Sequence, residues 1–199
     1  MSTEKTEAFN IELTELEFKY NADEMKLGDF TKFAESLKPE KKLEVASWDH
    51  YYSGPTNLPF EFMRFRNGPS PEITIKIKHG DKNNNNRFEL DLPLRLNVSD
   101  WMVKTFVELF GFKENFRVYK YCSIYWYEKL DIVYYIIYNK DMVEQGRRVE
   151  IEARKDYPFQ SEEEALTEVK AMEQRMSEIG LTPQNRMKKS MWETFRKEK

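Results

Sequence analysis

The sequence predicts an α+β domain in which about eight antiparallel strands close into a β-barrel, or tunnel, with helices at its periphery. Three observations carry this. Segments with the aromatic and β-branched composition of strands outnumber those with helical periodicity. Charged residues recur two apart along several of these strands, with apolar residues between them, so each strand has a charged and an apolar side. The sign of the charge is also sorted by segment: Glu15, Glu17 and Lys19 in the first, Arg64 and Arg66 then Lys76 and Lys78 in the middle, and Glu150 and Glu152 near the end. Any one of these pairs is ordinary on the wet face of a sheet. The sorted set points inward, because a merely soluble surface mixes signs along each strand.

Taken in order, a first strand is expected over residues 9–20. Phe30, Phe33, Ala34 and Leu37 then share one side of a short helix over Asp29–Leu37, which Pro39 ends. Leu43–Tyr52 is extended, and Gly54 and Pro55 turn the chain into a strand over Phe60–Arg66. Ile73–Lys78 and Arg87–Leu92 form a hairpin whose tip carries Asn83–Asn86. Ser99 caps a helix that stops at Gly111. Phe116–Tyr127 and Asp131–Lys140 are long strands, and Val143–Arg148 turns into a strand over Val149–Lys155. Ser161 and Glu164 form a capping box for a helix closed by Gly180, and Thr182-Pro183 starts a last helix containing Met187, Met191, Trp192 and Phe195.

Composition narrows the function. At 199 residues and 40% hydrophobic content, a single domain spanning 1–199 is expected, with enough apolar residues for a substantial core. A net charge of −3 argues against a general nucleic-acid binder, though not against a local basic cavity. The lone Cys122 excludes an internal disulfide and the Cys-rich zinc sites. The polar amino terminus and the lack of a long apolar run lead to the expectation of a cytoplasmic protein without membrane contact. His50 and His79 are isolated and expected in loops or at the surface.

If the charged sides face a lumen, the bases need anions and the acids need a cation. Carboxylates supply hard oxygen ligands, which suit Mg²⁺ or Mn²⁺. A metal-bound triphosphate satisfies both requirements. The same residues, in this order, resemble those of the CYTH superfamily, the triphosphate tunnel metalloenzymes. The resembling pieces are Glu15-x-Glu17-x-Lys19, Asp49-x-Tyr51, Arg64-x-Arg66, Lys76 with Lys78, Arg87-x-Glu89, Leu109-Phe-Gly111-Phe112, Lys120 with Ser123-Ile-Tyr125, Glu150-x-Glu152 and Ser190-Met191-Trp192.

The resemblance spans nearly the whole chain. It implies a closed tunnel in which Glu15, Glu17, Glu150 and Glu152 are metal ligands, and Lys19, Arg64, Arg66, Lys76, Lys78, Arg87 and Lys120 contact phosphate. It also implies that Glu89 supports a basic neighbour or the acidic cluster, and that Glu15, Glu17 and Lys19 take part in catalysis. Two departures bear on turnover. Cys122 stands where many relatives have Arg, and the Asp that precedes the last acidic pair in many relatives has no match among Tyr135, Tyr138 and Asn139, with Asp141 displaced toward the turn.

The leading expectation is metal-dependent hydrolysis of a nucleotide or organic triphosphate by a monomer or homodimer. The alternatives are a class IV-like adenylate cyclase making cyclic AMP from ATP, and a catalytically weak nucleotide-binding or sequestering protein.

Overall fold

The computed structural model describes residues 16–55, 58, 60, 62–78, 87–96 and 98–197, excluding the side chains of 76–78 and 87–89. Eight strands form one antiparallel sheet: β1 Glu17–Asn21, β2 Lys41–Ser53, β3 Phe62–Asn67, β4 Glu72–Lys78, β5 Arg87–Pro93, β6 Lys113–Trp126, β7 Leu130–Tyr138 and β8 Glu144–Ala153. Their hydrogen-bonded order is β1-β8-β7-β6-β2-β3-β4-β5. The long β2 and β6 pair over their full lengths and form the spine. Among the described residues the ladder has two ends, β1 and β5, and no register joins them. The sheet therefore curves around a lumen without the hydrogen-bonded closure expected of a barrel.

Among the described residues, four α-helices accompany the sheet: α1 Leu27–Ser36, α2 Asp100–Leu109, α3 Glu162–Met176 and α4 Met191–Phe195. The Ser99, Ser161 and Ser190 hydroxyls cap α2, α3 and α4, as short polar side chains before an amphipathic run favour. Phe30, Phe33 and Ala34 of α1 and Ala165, Val169 and Met176 of α3 pack with Tyr20, Ile132, Tyr134 and Ile151 on the outer side of β1, β7 and β8. Val103 and Val107 of α2 cover Tyr52, Met63, Phe65 and Ile73 in the same way. These two apolar cores lie outside the curved sheet, whereas a third, which includes Tyr51, Phe62, Tyr135, Met191 and Trp192, fills one end of its inner side and leaves the rest of that side to polar groups. No helix among the described residues is long and apolar enough to cross a membrane.

Several expectations shift. β8 begins at Glu144 rather than Val149, because Gly146 adopts a φ of 143° and the register slips opposite Ile137 and Tyr138, so the strand continues through the expected turn. The last helix is not continuous. Pro183–Asn185 makes one short turn, after which the Met187 N–H donates to the Lys19 carbonyl and Arg186 bridges Tyr20 on β1. An edge strand with open backbone groups competes successfully for this segment, and only Met191–Phe195 is left as helix. His50 is buried on β2 near Phe65, Asp100 and Glu114, not in a loop. Glu15, His79 and Asn83–Asn86 lie outside the described residues.

Candidate functional site

All eight strands contribute residues to one cavity of about 460 Å³. Alternation along each strand does the positioning: Glu17 and Lys19 on β1, Arg64 and Arg66 on β3, and Glu150 and Glu152 on β8 all line it, as their two-residue spacing predicts, and Lys120 on β6 joins them. Lys76 and Lys78 on β4 stand in register with Glu89 and Arg87 on β5, and the side chains of these four lie outside the description.

The described charges form a polar belt around the cavity. Lys19 Nζ lies 2.6 Å from Glu150 Oε1 and 3.3 Å from Glu17 Oε1. The Tyr135 hydroxyl donates to the same Glu150 oxygen at 2.7 Å, and Lys120 Nζ sits 5.0 Å from the Tyr135 ring centre. Lys120 then meets Asp49 Oδ2 at 2.8 Å, while Arg66 donates from Nε to Asp49 Oδ1 at 3.0 Å and from Nη1 to Glu72 Oε1 at 3.0 Å. Arg64 donates to Thr74 Oγ1 at 2.8 Å, Thr74 donates to Asp91 Oδ1 at 2.7 Å, and Lys155 Nζ stands 3.7 Å from Asp91 Oδ2. Because Lys155 follows β8 and Asp91 is on β5, this last contact spans the gap that the backbone ladder leaves open.

Burial and partners set the protonation states. Burial opposes ionisation of Asp49, yet Arg66 and Lys120 hold its carboxyl well below the usual range. Burial also disfavours the Lys19 ammonium, but Glu150 and Glu17 outweigh it and raise its pKa well above the ordinary value. Burial raises the Cys122 thiol to about 11, so it remains a neutral lining residue.

Asp131, Asp49, Glu72 and Asp91 complete the site and received no role from the sequence, although Asp49 stood within a family motif. Asp131 supplies an acid on the strand before the last pair: it begins β7, opposite Glu152, which in turn stands opposite Glu17. Asp141, at the far end of the strand, lies away from this row. The usable signal was antiparallel register, which places the start of β7 beside the end of β8.

Three carboxylates in one cross-strand row repel one another. Burial lifts the Asp131 carboxyl to about 6, and its Oδ1 is buried without a hydrogen-bond partner. This all-oxygen row, with an unsatisfied buried acceptor, fits a hard divalent cation in its donor chemistry. Among the described residues, however, no three acidic, His or Cys side chains already converge on one point. Glu17 and Glu150 are instead drawn to Lys19.

Two apolar regions flank the belt. On one side Trp192 of α4 stacks on Phe62 at 5.0 Å and on Phe116 at 5.8 Å, filling that end as a floor. On the other, Leu43, Val45, Ile124 and Val133 line the cavity as a wall along β2, β6 and β7, with Trp126 at its rim.

Among solved structures, a conserved hypothetical protein from Pyrococcus furiosus superposes with a TM-score of 0.68 at 20% identity, covering 89% of this chain and 98% of its own. A protein from Pyrococcus horikoshii gives 0.69 at 19% identity, covering 92% and 99%. A candidate adenylate cyclase from Vibrio parahaemolyticus gives 0.63 at 13% identity, covering 90% and 95%. The chain shares the fold of these proteins. No family model and no curated protein matches at the level of sequence. At these identities the likeness is one of architecture, so what this cavity does rests on its own residues.

Proposed function

We propose that this chain binds a triphosphate at the polar belt and hydrolyses it with Mg²⁺ or Mn²⁺, acting as one unit over residues 1–199. The observation that carries this reading is the belt: charged side chains of both signs, from seven of the eight strands of a CYTH-type sheet, lining one cavity. Arg64, Arg66, Lys120 and Lys19 take the phosphate oxygens, with Lys76, Lys78 and Arg87 on the β4–β5 hairpin adding to them and Glu89 supporting that hairpin. Arginine grips two oxygens at once, whereas lysine supplies a localised charge.

Glu17, Glu150 and Glu152 hold the cation, joined by Glu15 and by Asp131. The bound ion supplies charge neutralisation and polarises a phosphoryl oxygen. An incoming phosphate competes for Lys19, which releases Glu17 and Glu150 toward the row that contains Glu152 and Asp131. The chain's residues then hold the phosphates in line while water attacks the terminal phosphorus. The bond from that phosphorus to the bridging oxygen breaks, the oxygen keeps the electron pair, and a water proton passes to a nearby carboxylate such as Glu17.

Release of phosphate from ATP, thiamine triphosphate or tripolyphosphate in the presence of Mn²⁺ tests this. Retention of ligand without any product would leave binding alone. The likeness to candidate adenylate cyclases from Vibrio parahaemolyticus and Bacillus halodurans favours a second reading, cyclisation of ATP. Cyclic AMP with pyrophosphate as the products would establish it in place of hydrolysis.

A further inference from the structure

We propose that two copies of this chain form a two-fold dimer through α2, the outward face of the helix packing antiparallel on the same face of its partner. The helix is apolar on two sides. Val103 and Val107 form the buried side, against Met63, Phe65 and Ile73. Trp101, Met102, Phe106, Leu109 and the C-cap residue Phe110 occupy an adjacent arc, and each is between 54% and 80% exposed. A surface helix ordinarily sets charged residues opposite its buried stripe. The charged residues of α2 are instead confined to Asp100, Lys104 and Glu108, a strip along the remaining side.

The exposed area is what a dimer needs. At about 200 Å² for a large apolar side chain, these five present on the order of 600–700 Å², at or above the largest patch usual on a monomer. Leu90 and Leu92 on β5 stand in register with Ile75 and Ile73, so they share the outer side of the sheet with α2, and both are more than half exposed. Together these surfaces reach about the 800 Å² that each partner gives to a standard interface. Leaving them in water costs free energy that a covering partner recovers.

The order of the side chains selects a second copy as the occupant. Met102, Phe106 and Phe110 are spaced four apart and make one ridge along the exposed side, with the Phe106 and Phe110 rings 5.0 Å apart. A two-fold contact requires a surface that matches itself after half a turn. An axis at Phe106 satisfies this: Phe106 meets Phe106 of the other copy, and Met102 meets Phe110 at both ends, a favourable pairing of sulfur with an aromatic ring. The same rotation brings Lys104 level with Glu108, so opposite charges stand at equal heights along the two helices. A lipid surface fits less well, because the charged strip holds two acids and one base, not the basic excess that anionic headgroups attract.

The test is sedimentation velocity of the full chain from about 1 to 100 µM, in wild type, Leu109→Glu, Phe106→Glu and Val143→Glu, with circular dichroism to establish that each is folded. The wild type should dimerise with a Kd of about 10 µM or tighter, and both α2 variants should weaken association at least tenfold. Val143→Glu changes an exposed apolar residue between β7 and β8 and should leave the dimer as it is. Leu109→Glu, at the most exposed position, carries the test if Phe106→Glu does not fold. A wild type that stays monomeric throughout overturns the inference, including the case in which vesicles of phosphatidylcholine and phosphatidylserine or another protein then bind the patch. A dimer that survives in every folded α2 variant, or that Val143→Glu disperses equally, also overturns it.

Discussion

The two halves of the belt are built on opposite ratios. On the β2–β3–β6 side one carboxylate, Asp49, serves two cations, Lys120 and Arg66. On the β1–β8 side one cation, Lys19, serves two carboxylates, Glu17 and Glu150. Arg66 also reaches Glu72, and Glu17 also stands in the row with Glu152 and Asp131. The proposed anion would accordingly meet the paired cations of the first side, and the proposed cation the paired carboxylates of the second. The contrast also separates fold maintenance from ligand capture, because Asp49 is fully buried whereas Glu17 and Glu150 retain some exposure.

The largest expected effect comes from breaking the first cluster at its fully buried acid. Asp49→Asn leaves Lys120 and Arg66 without their buried counter-charge and should cost about 3–5 kcal/mol in urea denaturation, the penalty typical of halving a buried ion pair. A loss below 1 kcal/mol would mean that Glu72 alone can hold the cations. The same residue predicts a pH dependence. Its folded pKa lies below that of the unfolded chain, so its contribution is complete above about pH 4 and declines as pH falls toward the folded value. Denaturation measured from pH 7 down to pH 3 should therefore show an acid limb in wild type that is shallower in Asp49→Asn.

Next in size are the guests themselves. Arg64→Ala should weaken tripolyphosphate binding by about 10- to 100-fold, as expected for loss of charge-assisted contacts worth 1.5–3 kcal/mol. Unchanged affinity by calorimetry would remove Arg64 from the anion side. Glu150→Gln should reduce Mn²⁺-dependent turnover by about 100-fold or more, while metal-free binding of tripolyphosphate holds or tightens because Lys19 loses its closest acid. A parallel loss of both would erase the distinction between the halves. The smallest effect serves as control: Lys42→Ala breaks surface ion pairs to Glu35 and Glu44 and a cation–π contact with Tyr125, and should change stability by less than about 1 kcal/mol.

Much of the strand order was legible because alternation is local: a charge at one position and its neighbour two along must share a side, whatever the fold. That logic groups Lys19, Arg66 and Glu150, which do line one cavity, whereas Lys120 came only with the family resemblance. It failed where the deciding partner is distant. Asp131 belongs to the acidic row only through the β7–β8 register, and Glu72 and Asp91 act through the cations and hydroxyl opposite them. The wall was missed for the same reason, since Leu43, Ile124 and Val133 look like ordinary core until three strands are laid side by side. The continuous final helix failed because periodicity does not register the pull of an unpaired strand edge on Arg186 and Met187.

That short stretch has an outcome for folding order. The chain that follows α3 first fastens onto β1 through Met187 and then lays Trp192 across Phe62 of β3 and Phe116 of β6. The segment from Met187 to Trp192 thereby ties together β1, β3 and β6. Until it docks, the outer cores can pack while this end of the interior stays unsealed, so capacity to retain ligand should follow its docking.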